Sequence, residues 1–284
     1  MRKIIFSSLF FLTFFNTVTA QKDILIPDKQ YFRCENKWVA IPPKEGDTDY
    51  IYGFVYLDRQ AGFTFDLDGH FNIAENGKFN ITPHERESNI KYRLEPNTRL
   101  FAIIQPEQLK EMNLPAEPEW LSIYRKDEDE TDQQVRRGFI YNDVGASDLA
   151  VPILLEAYKK EPHFESLEFE LAFAYNALEQ PEKAIQILES ALKNDPENSL
   201  FYRELGYSYK HLKNTDKAES TYIKGISISK DAVEKAEMAF NMAGLYYESK
   251  NKKKFDEWAA IVKKYAEKDS VYLQELNKLE TLLK

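Results

Sequence analysis

The sequence is poor in cysteine and in basic residues. Cys34 is the only cysteine among 284 residues, which excludes an internal disulfide. An exported chain of this length must then depend on its hydrophobic core, and we expect Cys34 to be a small buried residue. There are 38 lysines and arginines against 47 aspartates and glutamates, a net charge of −9. This acidic balance argues against nucleic acid and anionic membranes as partners.

Motifs that carry catalysis or bind metal are also missing. The chain has no Gly-x-Ser-x-Gly motif and no phosphate-binding glycine loop. Asp66, Asp68 and His70 cluster, but the further ligands and the closing glutamate of a calcium loop are absent, so a hairpin turn at Asp68-Gly69 explains the cluster better. We therefore predict that the protein is not an enzyme and binds no metal or cofactor. An active site in the β domain whose residues come together only in the fold is left open as an alternative.

The sequence has one long apolar run. Residues 4–15 follow Arg2-Lys3 and precede Val18-Thr19-Ala20, an order typical of a secretory signal peptide over residues 1–20. The run is too short to span a bilayer comfortably, and no later run approaches the roughly 18 apolar residues of a membrane helix. We expect an exported protein with no integral membrane segment in the mature chain, and the lack of disulfides and anchors favours the periplasm over full secretion.

Strand patterns dominate residues 21–105. Apolar residues occupy both parities of residues 50–57, which predicts a strand covered on both faces. Asp68-Gly69 and Asn76-Gly77 are turn signals between short apolar segments, so three consecutive antiparallel strands are predicted there. Further strands are predicted at residues 37–41, 90–94 and 99–105. We therefore expect residues 21–105 to form an antiparallel β-rich domain.

Residues 106–130 are predicted to connect two domains. Pro106 begins a short helix at a position where its missing N–H costs little. An apolar cluster at Trp120, Leu121, Ile123 and Tyr124 is expected to dock between the domains. The charged run that follows, at residues 125–132, is expected to be a solvated hinge, because blocks of charge rarely pack.

The remaining part of the chain repeats with a period of thirty-four residues. The recurring pairs are Leu171 and Leu205, Ala172 and Gly206, Tyr175 and Tyr209, Ala184 and Ala218, and Ala191 and Gly225. The small residue allows two helices to approach closely, and the tyrosine fills the space beside it. Ala184, Leu188 and Ala191 are three or four residues apart, which places them on one face of a second helix.

These residues resemble the tetratricopeptide-repeat (TPR) family, whose units are antiparallel helix pairs stacked into a right-handed superhelix with a concave groove. The units are expected at residues 131–164, 165–198, 199–235 and 236–269, and a capping helix at residues 270–284. Arg137 departs from the pattern, because the first unit should have an apolar residue there. The predicted fold class is α+β with two domains, an N-terminal antiparallel β-rich domain and an α-helical tetratricopeptide-repeat solenoid.

The resemblance implies that partners bind in the groove formed by the first helices of the pairs. The implied partner-binding residues are Phe139, Asn142, Phe169, Phe173, Asn176, Arg203, Tyr207, Lys210, Phe240 and Tyr247. Such an aromatic groove suits an extended peptide or a helix, with Arg203 or Lys210 meeting a carboxylate. The alternatives are that several of these aromatics pack within the fold, and that the two cations neutralise acidic side chains nearby.

Three functional hypotheses follow from these patterns. The first is an exported, non-enzymatic adaptor or scaffold that binds a protein or peptide partner through the concave face of its repeats. The second is a small-molecule or glycan-binding, or enzymatic, β domain that uses the repeats as a structural arm. In the third, the N-terminal half of the chain itself occupies the groove.

Overall fold

The computed structural model describes residues 25–84 and 90–282, and the predicted signal peptide lies outside them. The fold class is confirmed, since an antiparallel sheet precedes an array of helices. The strands are β1 (Lys37–Ile41), β2 (Tyr50–Asp58), β3 (Gly62–Ile73), β4 (Phe79–Pro83), β5 (Lys91–Arg93) and β6 (Ala102–Ile103). Their order in the sheet is β4-β3-β2-β1-β6, and β5 pairs with β3 beside β4.

The sheet is covered on both faces, as the apolar residues at both parities of β2 predicted. Val55 and Leu57 face the helical array, whereas Phe54 and Tyr56 belong to a second core on the opposite face. All four side chains are buried. Cys34 is also buried, and burial raises the pKa of its thiol to about 12.

The predicted turn at Asp68-Gly69 is wrong, because β3 runs without reversal from Gly62 to Ile73. The chain reverses before β3, where the Asp58 carboxylate accepts hydrogen bonds from the N–H groups of Gln60 and Ala61 at 2.8 and 2.9 Å. Asp68 is instead an extra residue in the β2–β3 register, a β-bulge. Gly69 allows close strand approach, since a Cβ there would lie 2.4 Å from the Thr82 carbonyl oxygen.

The turn at Asn76-Gly77 is confirmed. The N–H of Gly77 donates to the Ala74 carbonyl at 2.7 Å, and Gly77 has a φ of 78°. This conformation favours glycine, so here the local signal agrees with the fold.

The segment between sheet and repeats contains α1 (Pro106–Glu111) and α2 (Leu121–Tyr124). The apolar cluster around Trp120 does not dock between the domains as expected. It covers the second face of the sheet, where the Trp120 ring lies 5.9 Å from that of Phe54 and 4.9 Å from that of Tyr56. Ile123 is 73% exposed. The rings pack there because the apolar side chains of that face, among them Phe54 and Tyr56, would otherwise be exposed to water.

Nine helices follow in the described residues, as four antiparallel pairs and one final helix. They are α3 (Thr131–Asp143), α4 (Ser147–Lys160), α5 (Leu167–Ala177), α6 (Pro181–Asn194), α7 (Ser199–His211), α8 (Thr215–Ile228), α9 (Ala232–Glu248), α10 (Lys252–Tyr265) and α11 (Val271–Leu282). None of the helices in residues 25–84 and 90–282 is long and apolar enough to cross a membrane.

Each helix pair turns in the same way. One residue in the turn has a positive φ, and the next residue donates its N–H to the carbonyl of the recurring tyrosine of the first helix. The turn residues are Gly145, Glu179, Lys213 and Lys250, and the tyrosines are Tyr141, Tyr175, Tyr209 and Tyr246. A residue in the left-handed conformation just after a helix satisfies its last carbonyls and reverses the chain.

The sheet and the repeats meet at α3 and the start of α4. The Phe63 ring lies 5.4 Å from that of Tyr141, and the Tyr141 hydroxyl donates to the Glu35 carboxylate. Arg137 donates to the same carboxylate at 3.2 Å. Arg137 therefore departs from the repeat pattern because its neighbour is the β domain rather than a preceding repeat.

Candidate protein-interaction groove

The first helices of the pairs form the inner row of the array. α3 contacts α5, α5 contacts α7, and α7 contacts α9. The more closely spaced row of a curved stack lies on its concave side, so these four helices line the groove. All ten predicted partner-binding residues lie on them, although they differ widely in what they offer to a partner.

Asn142 and Asn176 are used inside the array rather than on its surface. The Asn142 amide donates to the Glu170 carboxylate at 2.8 Å and to the Glu170 carbonyl at 3.0 Å. One repeat later, Asn176 makes the same two bonds to Glu204, at 3.1 and 3.2 Å. Both asparagines are about 95% buried. They form a ladder that joins successive first helices and leaves little of either amide for a partner.

The ladder was missed by the sequence reasoning, although a signal was present. Glu170 and Glu204 are separated by the repeat period, as are Asn142 and Asn176. Burial raises the pKa of both carboxyl groups, and the asparagine amides offset part of that rise. A buried polar residue that recurs with its partner at the repeat period is the pattern that would have identified the ladder.

The two predicted cations of the groove already have partners. The Arg203 guanidinium lies 3.3 Å from the Glu204 carboxylate and 3.7 Å from that of Glu237. Lys210 donates to the side-chain oxygen of Asn241 at 2.7 Å, and burial lowers its pKa. The Arg203 contacts fit the alternative in which the cations neutralise acidic side chains, whereas the contact of Lys210 is to a neutral amide.

The aromatic residues divide into open and covered ones. Phe139 is 52% exposed and Phe173 is 36% exposed. Phe240 packs on Tyr272 of α11 at 5.9 Å, and Tyr247 packs on Phe255 of α10 at 6.2 Å. Phe169 lies under the guanidinium of Arg203 at 5.3 Å. The end of the array is therefore partly closed by its own last helices.

A cavity of about 260 Å³ opens on the inner row between α5, α7 and α9. It brings four of the predicted residues together, namely Phe173, Asn176, Arg203 and Tyr207. The other lining residues are Ala177, Glu204, Glu237 and Asn241. The cavity combines an open aromatic ring with a row of polar groups, an arrangement that suits an inserted apolar side chain.

The β domain does not lie along this cavity. Within the described residues, the hydrogen bonds and ring contacts between the two halves involve only α3 and α4. The cavity is lined by α5, α7 and α9 alone. The described residues of the β domain therefore do not line the cavity between these three helices.

Two protein-family models match parts of the helical array. One tetratricopeptide-repeat model matches residues 143–203, and a second matches residues 201–231. The helical part of the chain contains tetratricopeptide repeats. Such repeats fit a protein-interaction scaffold. No curated protein matches the chain.

Solved structures with a similar arrangement include TTC0263, a thermophilic TPR protein of Thermus thermophilus. It is 17% identical, the match covers 56% of this chain and 87% of that one, and the TM-score is 0.49. A crystal structure of MamA is 20% identical over 57% of this chain and 87% of that one, with a TM-score of 0.43. MamA from Desulfovibrio magneticus RS-1 is 15% identical, the match covers 62% of this chain and 85% of that one, and the TM-score is 0.42.

Proposed function

We propose that this protein is an exported, non-enzymatic adaptor that binds a protein or peptide partner along the concave face of its repeats. Export rests on the signal-peptide pattern of residues 1–20, and the periplasm is the favoured compartment. The partner is neither nucleic acid nor an anionic membrane, because the chain carries a net charge of −9.

The observation that carries this proposal is the cavity between α5, α7 and α9. Phe173 of α5 is partly exposed at the rim of this cavity, and Tyr207 lines the cavity from α7. Aromatic side chains around a pocket supply most of the binding energy in many interfaces, because they bury a large area with few rotatable bonds. An apolar side chain of the partner would enter the cavity, while its backbone would run along the inner row.

The second hypothesis, a ligand site within the β domain, has less support. Both faces of the sheet are filled, one by the repeats and the other by α1, α2 and the Trp120 segment. A filled sheet leaves no deep pocket between its own strands, although a cavity does occur where the sheet meets α3.

The groove is tested by affinity capture from the exported compartment with a variant carrying Phe169→Ala, Phe173→Ala and Tyr207→Ala. Loss of one aromatic hot spot typically weakens binding by at least about 2 kcal/mol, or roughly thirtyfold, so the triple variant should lose the partner. Ile223→Ala is the matched control, because Ile223 is 56% exposed on α8, a second helix outside the inner row.

Both variants should keep the circular dichroism spectrum of the parent protein. A partner recovered equally well by the triple variant would exclude the concave groove as its contact surface.

A further inference from the structure

The arginines of the described residues fall into two groups. Arg33, Arg125, Arg137 and Arg203 each contact a carboxylate. Within the described part of the chain, Arg59, Arg93, Arg99 and Arg136 form no such pair. Three of these four, Arg59, Arg93 and Arg136, line one cavity. Three arginines that have no carboxylate partner among the described residues thus line one cavity, although acidic residues outnumber basic ones in the chain by nine.

This cavity, which we call the junction cleft, lies where the β domain meets the first repeat. Its walls are the turn between β2 and β3, residues 93–96, and the part of α3 that holds Arg136, Phe139 and Asp143. Its volume of about 350 Å³ falls in the range of small-molecule sites, about 300 to 1,000 Å³. Glu95 and Asp143 also line it, so its walls hold three guanidinium groups against two carboxylates.

Arg59 is the least exposed of the three arginines that line the cleft. Its Nη2 is buried and has no hydrogen-bond partner in the part of the chain that the structure describes. A buried charged donor without an acceptor is unfavourable, so Arg59 would gain from an oxyanion that reached its guanidinium group. Arg136 is held beside it, because the Arg136 Nε donates to the Arg59 carbonyl at 2.5 Å. That bond holds the Arg136 side chain against the turn between β2 and β3.

The cleft also has an apolar side. Phe139, which is 52% exposed, lines it together with Leu94 and Pro96. The guanidinium fork matches the oxygens of carboxylates and phosphates in geometry and charge. A ring or short aliphatic body attached to such a group would rest on Phe139. Charge and shape together therefore describe an oxyanion with an apolar part.

We propose that the junction cleft binds a small ligand that carries a phosphate or carboxylate group on an apolar body. Arg59, Arg93 and Arg136 hold the oxyanion, and Phe139 contacts the body. This site is separate from the groove between α5, α7 and α9, and the proposal does not depend on the adaptor function.

The test is isothermal titration calorimetry of the protein at low ionic strength with inorganic phosphate, phenyl phosphate and phenylacetate. Phenyl phosphate should bind more tightly than inorganic phosphate, because only the former reaches Phe139. The comparison of phenyl phosphate with phenylacetate, which has the same ring, identifies which oxyanion the arginines prefer. Either preference supports the site, whereas no binding of any of the three ligands overturns it.

Three single variants then locate the binding. Arg59→Gln and Arg93→Gln should each weaken phenyl phosphate binding about tenfold, the effect of losing one charge-assisted hydrogen bond. Arg93 is exposed and makes no side-chain hydrogen bond to the described residues, so its replacement leaves the fold intact. Phe139→Ala should remove the preference for phenyl phosphate over inorganic phosphate.

Arg99→Gln is the matched control, because Arg99 is also exposed and unpaired within the described residues but lies outside the cleft. It should bind phenyl phosphate like the parent protein. An equal loss in Arg99→Gln, or parent-like binding by both Arg59→Gln and Arg93→Gln, would show that the anion responds to overall charge or binds elsewhere. The groove variant with three alanines should bind phenyl phosphate normally, which separates this test from that of the adaptor function.

Discussion

The β domain and the repeats are stabilised by contacts that differ in how far apart in the sequence the two residues lie. In the repeats, the Asn142 and Asn176 amides each reach a glutamate 28 residues ahead, and the same bond recurs with the period of the array. In the β domain, the Trp38 indole N–H donates to the carbonyl of Pro115, 77 residues away, in a contact that does not recur with any period. A periodic contact can be predicted from the sequence, whereas a single long-range contact cannot.

The two regions also fill space differently. The second face of the sheet packs large rings edge to face, with the Phe54 ring 5.3 Å from that of Trp38 and 5.9 Å from that of Trp120. The repeats instead place a small residue opposite a large one, as with Gly206 and Tyr222. The sheet should therefore be sensitive to the loss of a ring, and the repeats to the addition of a single methyl group.

The largest effect is expected for Phe54→Ala in the sheet. Phe54 is fully buried between two tryptophans, and removing a buried phenylalanine costs about 4 kcal/mol of unfolding free energy. Urea unfolding followed by tryptophan fluorescence measures the loss. Ile123→Ala is the control, since Ile123 is 73% exposed and its loss should change stability by less than about 0.5 kcal/mol. Similar losses in both variants would contradict the closed second core.

Two glycine replacements in the repeats are expected to change stability by less than this, one lowering it and the other raising it. A Cβ at Gly206 would lie 2.4 Å from the ring of buried Tyr222, so Gly206→Ala should destabilise the protein by about 2 kcal/mol. A Cβ at Gly244 would meet nothing within 4 Å. Gly244→Ala should therefore stabilise helix α9 by up to about 1 kcal/mol. Thermal unfolding of the two variants checks the difference in sign, and equal signs would contradict the packing of small against large residues.

The smallest effect on stability is expected for Glu204→Gln in the ladder. The measurement that identifies it is the change of the unfolding free energy with pH. Burial raises the pKa of Glu204, while Arg203 and Asn176 offset part of the rise and Glu237 adds to it. Between the ordinary glutamate pKa of about 4.3 and the raised value, the folded protein binds the proton more strongly than the unfolded chain. Glu204 thus makes the protein lose stability as the pH rises through that window.

Glutamine does not titrate, so Glu204→Gln should gain stability relative to the parent as the pH rises above about 4.3. Urea unfolding at a series of pH values measures this gain. Glu182→Gln is the control, because Glu182 is exposed on α6 of the preceding repeat. A stability difference between parent and Glu204→Gln that does not change with pH would show that the ladder carboxylate is not destabilised by burial.

Most of the periodic features of the repeats were predicted correctly, whereas two features of the β domain were predicted wrongly. Helix pairs, turns and the small-residue pattern of the repeats were predictable, because each repeat presents the same local residues to the next. Asp68-Gly69 was misread, because a local turn signal cannot show that the neighbouring strand accepts a bulge. The Trp120 cluster was placed between the domains, because the sequence does not reveal which sheet face lacks a cover.

The helices that hold the ten candidate residues were predictable, but the exposure of those residues was not. The period identified the first helices, and all ten predicted residues lie on them. Burial of the Asn142 and Asn176 amides, and coverage of Phe240 by Tyr272, depend on neighbouring helices that a single repeat does not specify. The junction cleft was not predicted at all, since Arg59, Arg93 and Arg136 are far apart in the chain.

By itself, the sequence determined the helical repeats, most of the strands and the acidic character of the protein. These follow from local periodicity and composition, which act within a few tens of residues. Tertiary structure alone decided the pairing of Glu35 with Tyr141 and Arg137, the cover of the second sheet face and the meeting of Arg59, Arg93 and Arg136 at the junction cleft. Each of these joins residues that only the folded chain brings together, so no spacing in the sequence encodes it.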